Sequence, residues 1–430
     1  MHFSLDIPAD VLYNVKEQRR SSGGGQNLGF VTGAFSFLLK PCPGCKTHRW
    51  CALMMHGKKD DRLKGKSDML KREGEVRIPS GCAIAGVFAR DGRNICGDTI
   101  VRSMTTMHDR SNGLGGGFAG YGIYPQYRDL YAFHVFYDGM SCREETERYL
   151  DKMFEVVNLS RIPIRKSPKI TNEPLIWRYF VAPHHNRLAD SQLDEKEYVA
   201  RAVIKINTEF KGSYIFSCGK NMGVFKAVGF PEDVGEYYRL DEYEGYSWTA
   251  HGRYPTNTPG WWGGAHPFSL LDYSVVHNGE ISSYDANRRF IEMYGYKCSL
   301  LTDTEVIAYI FDYLIRRKGF TPAEASTIVA APFWSTIEKQ DEARRHELEY
   351  LRCQYSSLLI TGPFSILVGY EGGMLALNDR LKLRSMVAAE KGKTTYFASE
   401  ECAIRMMEPD VDRIWSPKGG EAVIVELEGK

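Results

Sequence analysis

Residues 81–89 read GCAIAGVFA, a short apolar run of small residues that begins at Cys82 and reads as a buried strand. The chain changes texture there. Before it lie a Gly-rich stretch (SSGGGQNLG, 21–29), three cysteines within ten positions, and a charged segment from Lys58 to Arg77 without a sustained apolar period. These 81 residues read as a leader that ends in a solvated linker. After the strand, Ile100, Val101, Met104 and Met107 recur at helical spacing, and a Gly-rich turn follows (SNGLGGGFAGYG, 111–122).

Farther out, strand and helix alternate from roughly 125 to 245. YAFHVFYD (131–138) and PLIWRYFVAP (174–183) read as strands, EETERYLDKMFEVV (144–157) and DEKEYVARAVIKINTEF (194–210) as helices, and YIFSCGKNMGVFKAV (214–228) as a hairpin turning at Lys220-Asn221. This order suits an inserted subdomain with two helices on one face of a small antiparallel sheet. The pair His184-His185, after Pro183, reads as a solvated loop. Beyond Tyr246 come YSWTAHGRYPT and YSVVHNGEI, a helix expected over Thr304–Lys318 with Asp303 as its cap, and a helical stretch from Pro322 to about Tyr355. The last seventy-five residues are rich in strand signals, in SSLLITGPFSILVGYEGGMLALND, TTYFASE and AVIVELEG.

Composition narrows the function classes. The chain has 430 residues, 43% hydrophobic and 25% charged, which excludes wholesale disorder. Its 55 basic residues nearly cancel 54 acidic ones, giving a net charge of +1, so the basic excess of a dedicated nucleic-acid binder is missing. No stretch approaches the roughly 18–20 apolar residues of a membrane span, and the acidic start MHFSLDIPAD is unlike a secretory signal, so a cytoplasmic protein without membrane or nucleic-acid partners is expected. Ten cysteines are too few for a disulfide scaffold. In the leader, CPGCKTHRWC places Cys42, Cys45, His48 and Cys51 within ten positions. The cluster is compact enough for zinc or part of an iron-sulfur site, but it holds only one Cys-x2-Cys hook, so a metal-free loop stands beside that reading.

The remaining polar clusters are ambiguous one at a time. Arg253 before Pro255-Thr256 could be a salt-bridged turn, Asn278-Gly279 a hairpin turn, Asp303 a helix cap, and Cys82 a core thiol. Their joint order resembles the class II glutamine amidotransferases, glutaminases with an N-terminal nucleophile. The resemblance rests on GCAIAGVF with Cys82, HDRSNGLGGGFA with Arg110, GRYPTNT with Arg253 and Thr256, Ala265-His266-Pro267, HNGEI with Asn278 and Gly279, and TDTEVIAYI with Asp303. It covers about 82–430 and implies an α+β chain: a four-layer αββα fold with an inserted α+β subdomain near 125–245. SNGLGGGFAGYGIYP (111–125) and the insert are similar to the separate amidotransferase subunit of archaeal-type glutamate synthases.

What the resemblance implies is chemically coherent. Cys82 would attack the side-chain amide of glutamine, forming a thioester and releasing ammonia, with no cofactor needed. Asn278 and Gly279 would stabilise the oxyanion. Arg253 and Asp303, with Thr256, His266 and Arg110, would bind the substrate, and a partner synthase subunit would consume the ammonia. The base in this family is the α-amine of the nucleophile itself, which here exists only once the Gly81–Cys82 bond is cut. The rival expectation is a catalytically silent subunit of the same fold that senses glutamine or acts as a scaffold.

Overall fold

The run at 81–89 is a strand, Ala83–Ala89, with all seven residues buried and partners on both sides. It belongs to a computed structural model that describes residues 81–255 and 260–429, within a unit spanning Val76–Lys430. Cys42, Cys45, His48 and Cys51, with all of the proposed leader except Gly81, and Thr256 lie outside the described residues.

Among the described residues, three larger antiparallel sheets organise the unit, beside a two-stranded pair of Ile95–Cys96 with Glu244–Gly245. Sheet I has seven strands in the order Arg413–Trp415, Val387–Lys391, Thr394–Ala398, Ala83–Ala89, Ser247–Gly252, Gly116–Tyr121 and Met222–Ala227. Sheet II has five: Phe268–Leu270, Tyr273–Gly279, Phe364–Tyr370, Gly373–Asn378 and Val423–Glu426. Side chains alternate across each strand, and this decides the layers. Ile84 and Phe88 of sheet I meet Val276, Leu367, Met374 and Ala376 of sheet II in one buried cluster. Ala83, Ala85 and Val87 point the other way, onto the helices Gly97–Thr105, Pro231–Tyr237 and Glu401–Met407. The outer face of sheet II, with Val275, Ile366 and Val368, packs against helices Tyr284–Met293, Asp303–Phe311 and Pro322–Val329. The result is helix, sheet, sheet, helix, the αββα arrangement expected. The small residues of the first strand have a reason: a Cβ at Gly86 would lie 2.9 Å from Leu367 Cδ1 and 3.0 Å from Met374 Sδ, so a larger side chain would pry the sheets apart.

Sheet III, in the order Phe154–Arg161, Leu175–Pro183, Tyr131–Tyr137 and Ser213–Ser217, lies within the expected insert. Phe133, Val135 and Tyr137 face Leu150 of helix Met140–Met153 and Val199 and Val203 of helix Glu195–Glu209. Asp194 caps the second helix by accepting the Glu197 N–H at 2.9 Å.

Several expectations need correcting. Ser213–Ser217 and Met222–Ala227 do not form a hairpin; the first pairs with Tyr131–Tyr137 in sheet III and the second with Gly116–Tyr121 in sheet I. The turn between them is held from outside, since Lys220 N–H donates to Asp272 and the Asn221 side chain accepts Tyr124 N–H. Phe154-Glu155-Val156-Val157 leaves the helix for a strand, as β-branched residues favour. The stretch from Pro322 to Tyr355 breaks into Pro322–Val329, Trp334–Ile337 and Glu342–Gln354, interrupted by Pro332 and restarted by Asp341, which caps through the Arg344 N–H. The expected Thr304–Lys318 helix is α-helical over Asp303–Phe311 and continues as a π turn over Asp312–Arg317. His185 begins a short helix, His185–Ser191, and the His184 ring bonds the Asp151 carbonyl. Among the described residues no helix is long and apolar enough to cross a membrane.

Leu367 fills the space between the sheets, so Leu367→Ala should cost about 2–5 kcal/mol of stability. The measurement is the urea midpoint at unchanged slope. A loss well under about 1 kcal/mol would mean that the two sheets do not interdigitate at Leu367.

Candidate active site

The first strand pairs with Ser247–Gly252 so that Ala83 lies opposite Gly252. The next residues outward are therefore neighbours: Cys82 on one strand, Arg253 and Tyr254 on the other. The Tyr254 N–H points at the Cys82 sulfur, 3.3 Å away. Both residues open onto a cleft of about 330 Å³ whose walls include Arg253, His266, His277, Gly279 and Asp303. Five of the residues singled out from sequence, Cys82, Arg253, His266, Gly279 and Asp303, thus share one cleft.

Two others stand behind it. Arg110 does not line the cleft. Its Nε and Nη2 donate to the Cys82 carbonyl at 3.3 and 3.2 Å, and its Nη1 pairs with Glu400 at 2.8 Å. Expected as a substrate ligand, it instead holds the backbone of Cys82. Asn278 is 1% exposed and belongs to the face of Tyr273–Gly279 that looks into the sandwich. Its Nδ2 donates to Ser399 Oγ at 3.3 Å, and that hydroxyl accepts the Ile84 N–H at 3.1 Å. One hydroxyl therefore links the Asn278 amide to the strand of Cys82.

Gly279 does not turn a hairpin. The strand ends there, and a Cβ would lie 2.1 Å from the Pro363 carbonyl, so only glycine fits. Asp303 opens its helix without capping it; its carboxylate accepts the Ile281 N–H and the Thr304 hydroxyl, both at 3.2 Å, and lies 3.5 Å from His277. Burial alone would raise the Asp303 carboxyl, but His277 and these donors outweigh it and hold the group below its usual value, so it is an anion at neutral pH. Burial pushes the Cys82 thiol up, against the Tyr254 N–H and the nearby Arg253 cation, which favour the thiolate. Gly81 lies between two guanidinium groups: a Cβ there would be 3.8 Å from both Arg110 and Arg384.

A buried histidine group braces the floor. His266 Nε2 lies 2.7 Å from Thr304 Oγ1, His277 Nδ1 lies 3.2 Å from the same oxygen, and His251 Nε2 bonds the His277 carbonyl at 2.9 Å. The rings of His251 and His266 stack at 4.0 Å. Burial lowers His251 to about 3 and His266 well below its ordinary value, so both are neutral supports. His277 and Tyr254 escaped the sequence reading. Alternation could have found His277, two positions before Gly279 on the same strand face; nothing marks the Tyr254 amide until the register is known. Among the described residues no group of three or more His, Cys, Asp or Glu is placed to hold a metal ion.

The segment leading into Asp303 is clamped by Glu305, which accepts the N–H groups of Ser299 and Leu300 at 3.2 and 2.9 Å and the Tyr309 hydroxyl at 3.3 Å. Burial raises the Glu305 carboxyl from 4.5 to about 7, against these three donors. The folded chain therefore keeps a proton that the unfolded chain releases between pH 4.5 and about 7. The stability this contributes is complete below the lower value and is lost as pH rises through the upper one. Glu305→Gln should flatten that decline in the urea midpoint; a variant profile parallel to wild type would mean that Glu305 does not titrate there.

Residues 139–430 match the pattern of the family described as glutamine amidotransferases class-II, a span that holds Arg253, His266, Asn278, Gly279 and Asp303 and begins beyond Cys82. An uncharacterized protein of Archaeoglobus fulgidus is 48% identical over 353 residues, 81% of this chain and 93% of its own. The glutamine amidotransferase-like protein GlxB of Rhizobium meliloti is 26% identical over 208 residues, 47% of this chain, and the match spans 59% of that relative's length. The glutamine phosphoribosylpyrophosphate amidotransferase of B. subtilis, solved with ADP and GMP, aligns with a TM-score of 0.43 at 15% identity, covering 81% of this chain and 48% of that one. The chain belongs to the class II glutamine amidotransferases.

Proposed function

We propose that the protein hydrolyses glutamine to glutamate and ammonia through a thioester on Cys82. The observation that carries the reading is the cleft in which a thiol, an arginine and an ionised aspartate meet. Free glutamine carries an α-carboxylate and an α-ammonium, which call for a forked cation and an anion; Arg253 and Asp303 supply these. With the amino acid end fixed there, the side-chain amide reaches toward the sulfur. Attack forms the carbon–sulfur bond and places negative charge on the amide oxygen. The Gly279 N–H is the proposed donor to it, worth on the order of 3 kcal/mol of barrier; Asn278, expected as a second donor, sits behind the cleft with its amide on Ser399 and supports the strand end that carries Gly279. Collapse expels ammonia, and water then releases glutamate from the thioester.

The base is the α-amine of Cys82, with an ordinary pKa near 8. In the intact chain that nitrogen is an amide, so cleavage of Gly81–Cys82 is part of the proposal, and the uncut chain binds glutamine without turning it over. The resemblance of residues 111–125 and of the insert to glutamate synthase subunits supports a separate synthase subunit as the consumer of the ammonia.

Activity should reside in chains that begin at Cys82 on amino-terminal sequencing, and Cys82→Ser should abolish nearly all ammonia release. Full activity from a chain beginning at Met1 would overturn the α-amine mechanism. Arg253→Lys keeps the charge but not the fork, and should raise the KM for glutamine by at least about tenfold; an unchanged KM would remove Arg253 from the substrate site.

A further inference from the structure

A second cavity, of about 520 Å³, opens where sheet III meets the segment that follows Tyr254. That volume falls within the range of about 300–1,000 Å³ typical of small-molecule sites. Its walls mix aromatic rings with small polar side chains. Phe136 and Tyr214 come from sheet III, while Trp261 and Trp262 come from the segment between Arg253 and His266. Trp262 is fixed edge-on to Phe136, with ring centroids 5.5 Å apart, and its indole N–H donates to the Thr171 carbonyl at 3.0 Å. Trp261 lies 6.3 Å from Tyr214 and is left 43% exposed, a large apolar ring facing the opening. The cavity also has one acid and one base, Asp138 and Lys211, both exposed and, among the described residues, neither engaged in an ion pair.

We propose that this cavity binds a neutral heteroaromatic ligand of the nucleoside class. The exposed Trp261 ring suits a planar base, whose π-face it can meet, while Phe136, already stacked on Phe216 at 3.8 Å, adds apolar wall. The Asp and Lys side chains suit the hydrogen-bonding edge of the base and the sugar hydroxyls. A single lysine beside a carboxylate is a poor phosphate site, so the free nucleoside is preferred to its monophosphate.

The position of the cavity gives the ligand a consequence. Two segments of chain line both cavities. In the first, Arg253 and Tyr254 border the glutamine cleft and Gly260 to Gly263 the aromatic one; in the second, Leu301 to Asp303 border the cleft and Ser299 and Leu300 the aromatic cavity. Between the cavities Lys226, fully buried, donates to the carbonyls of Gly263 and Pro267 at 3.0 and 3.4 Å and so anchors the far end of the first segment. Ser299 and Leu300 lead directly into Asp303, and Gly264 is packed against both Trp261 and Arg253, where a Cβ would lie 2.5 Å from Trp261 Nε1 and 3.3 Å from Arg253 Nη1, so a ligand held by Trp261 should change how glutamine binds. This last step rests on the glutaminase reading.

Isothermal titration of adenosine, guanosine, cytidine and uridine into the full chain tests the site without requiring catalysis. At least one should bind saturably at a stoichiometry near one, and Trp261→Ala, a change at a half-exposed loop ring, should weaken it by about tenfold or more. No saturable heat from any of the four, an affinity unchanged in Trp261→Ala, or tighter binding of the corresponding monophosphate would each overturn the proposal. Where ammonia release is measurable, the bound nucleoside should shift the apparent KM for glutamine by at least about threefold; an unchanged KM would overturn the coupling. A chain that binds the nucleoside but releases no ammonia would retire the hydrolytic reading and leave the cavity proposal standing, and the reverse result would retire the cavity alone.

Discussion

The pairing of Ala83 with Gly252 is the constraint from which the cleft follows. In an antiparallel ladder, residues just past a paired end must lie side by side. This places Cys82 beside Arg253 and Tyr254 with no dedicated contact to arrange it. A shift of one residue would turn Cys82 to the opposite face and carry every core residue of the strand with it. The register is well defended. Gly86 tolerates only its present contacts with Leu367 and Met374, and the other edge of the strand is held by Thr394–Ala398. The sulfur is positioned by a strand paired on both edges and buried along its length, and Arg110 adds a grip on the Cys82 carbonyl.

Around that sulfur, burial and charge oppose one another. Desolvation favours the neutral thiol, while the Tyr254 amide and Arg253 favour the anion. Asp303 faces the same balance and comes out ionised, because its donors are fixed by neighbouring backbone and by Thr304. The neutral histidines beneath do not add positive charge. Their ring nitrogens tie His277 and Thr304 together, so the end of Tyr273–Gly279 and the start of the Asp303 helix are held as one piece.

Much of this was legible in the sequence, for physical reasons that differ by element. Ala83–Ala89, Tyr131–Tyr137 and Phe364–Tyr370 announce themselves because they are apolar at nearly every position, and Glu195–Glu209 because Asp194 and its acidic first turn mark a helix start. Val387–Lys391 and Arg413–Trp415 were missed: they are short, partly polar strands toward one edge of sheet I, and their pairing partners, not their own composition, make them strands. The split of Ser213–Ser217 from Met222–Ala227 was hidden for the same reason. Within the site, residue types and order pointed to the cleft, but direction did not. That Asn278 looks into the sandwich while His277 and Gly279 look into the cleft depends on which face of sheet II carries the helices, a fact about layers that no local pattern contains.

The neighbours of the first strand have one more implication. Its partner Thr394–Ala398 and the Ser399 hydroxyl that receives the Ile84 N–H lie 315 positions along the chain in the case of that hydrogen bond. A ribosome delivers Cys82 long before it delivers them. During synthesis the first strand has one edge unpaired, and the Ser399 hydroxyl that joins it to Asn278 is missing, until nearly the whole chain has emerged. The support of the strand that carries Cys82 is thus completed late in the life of the nascent chain, and a polypeptide stalled or clipped short of Thr394 would carry that strand with one edge open.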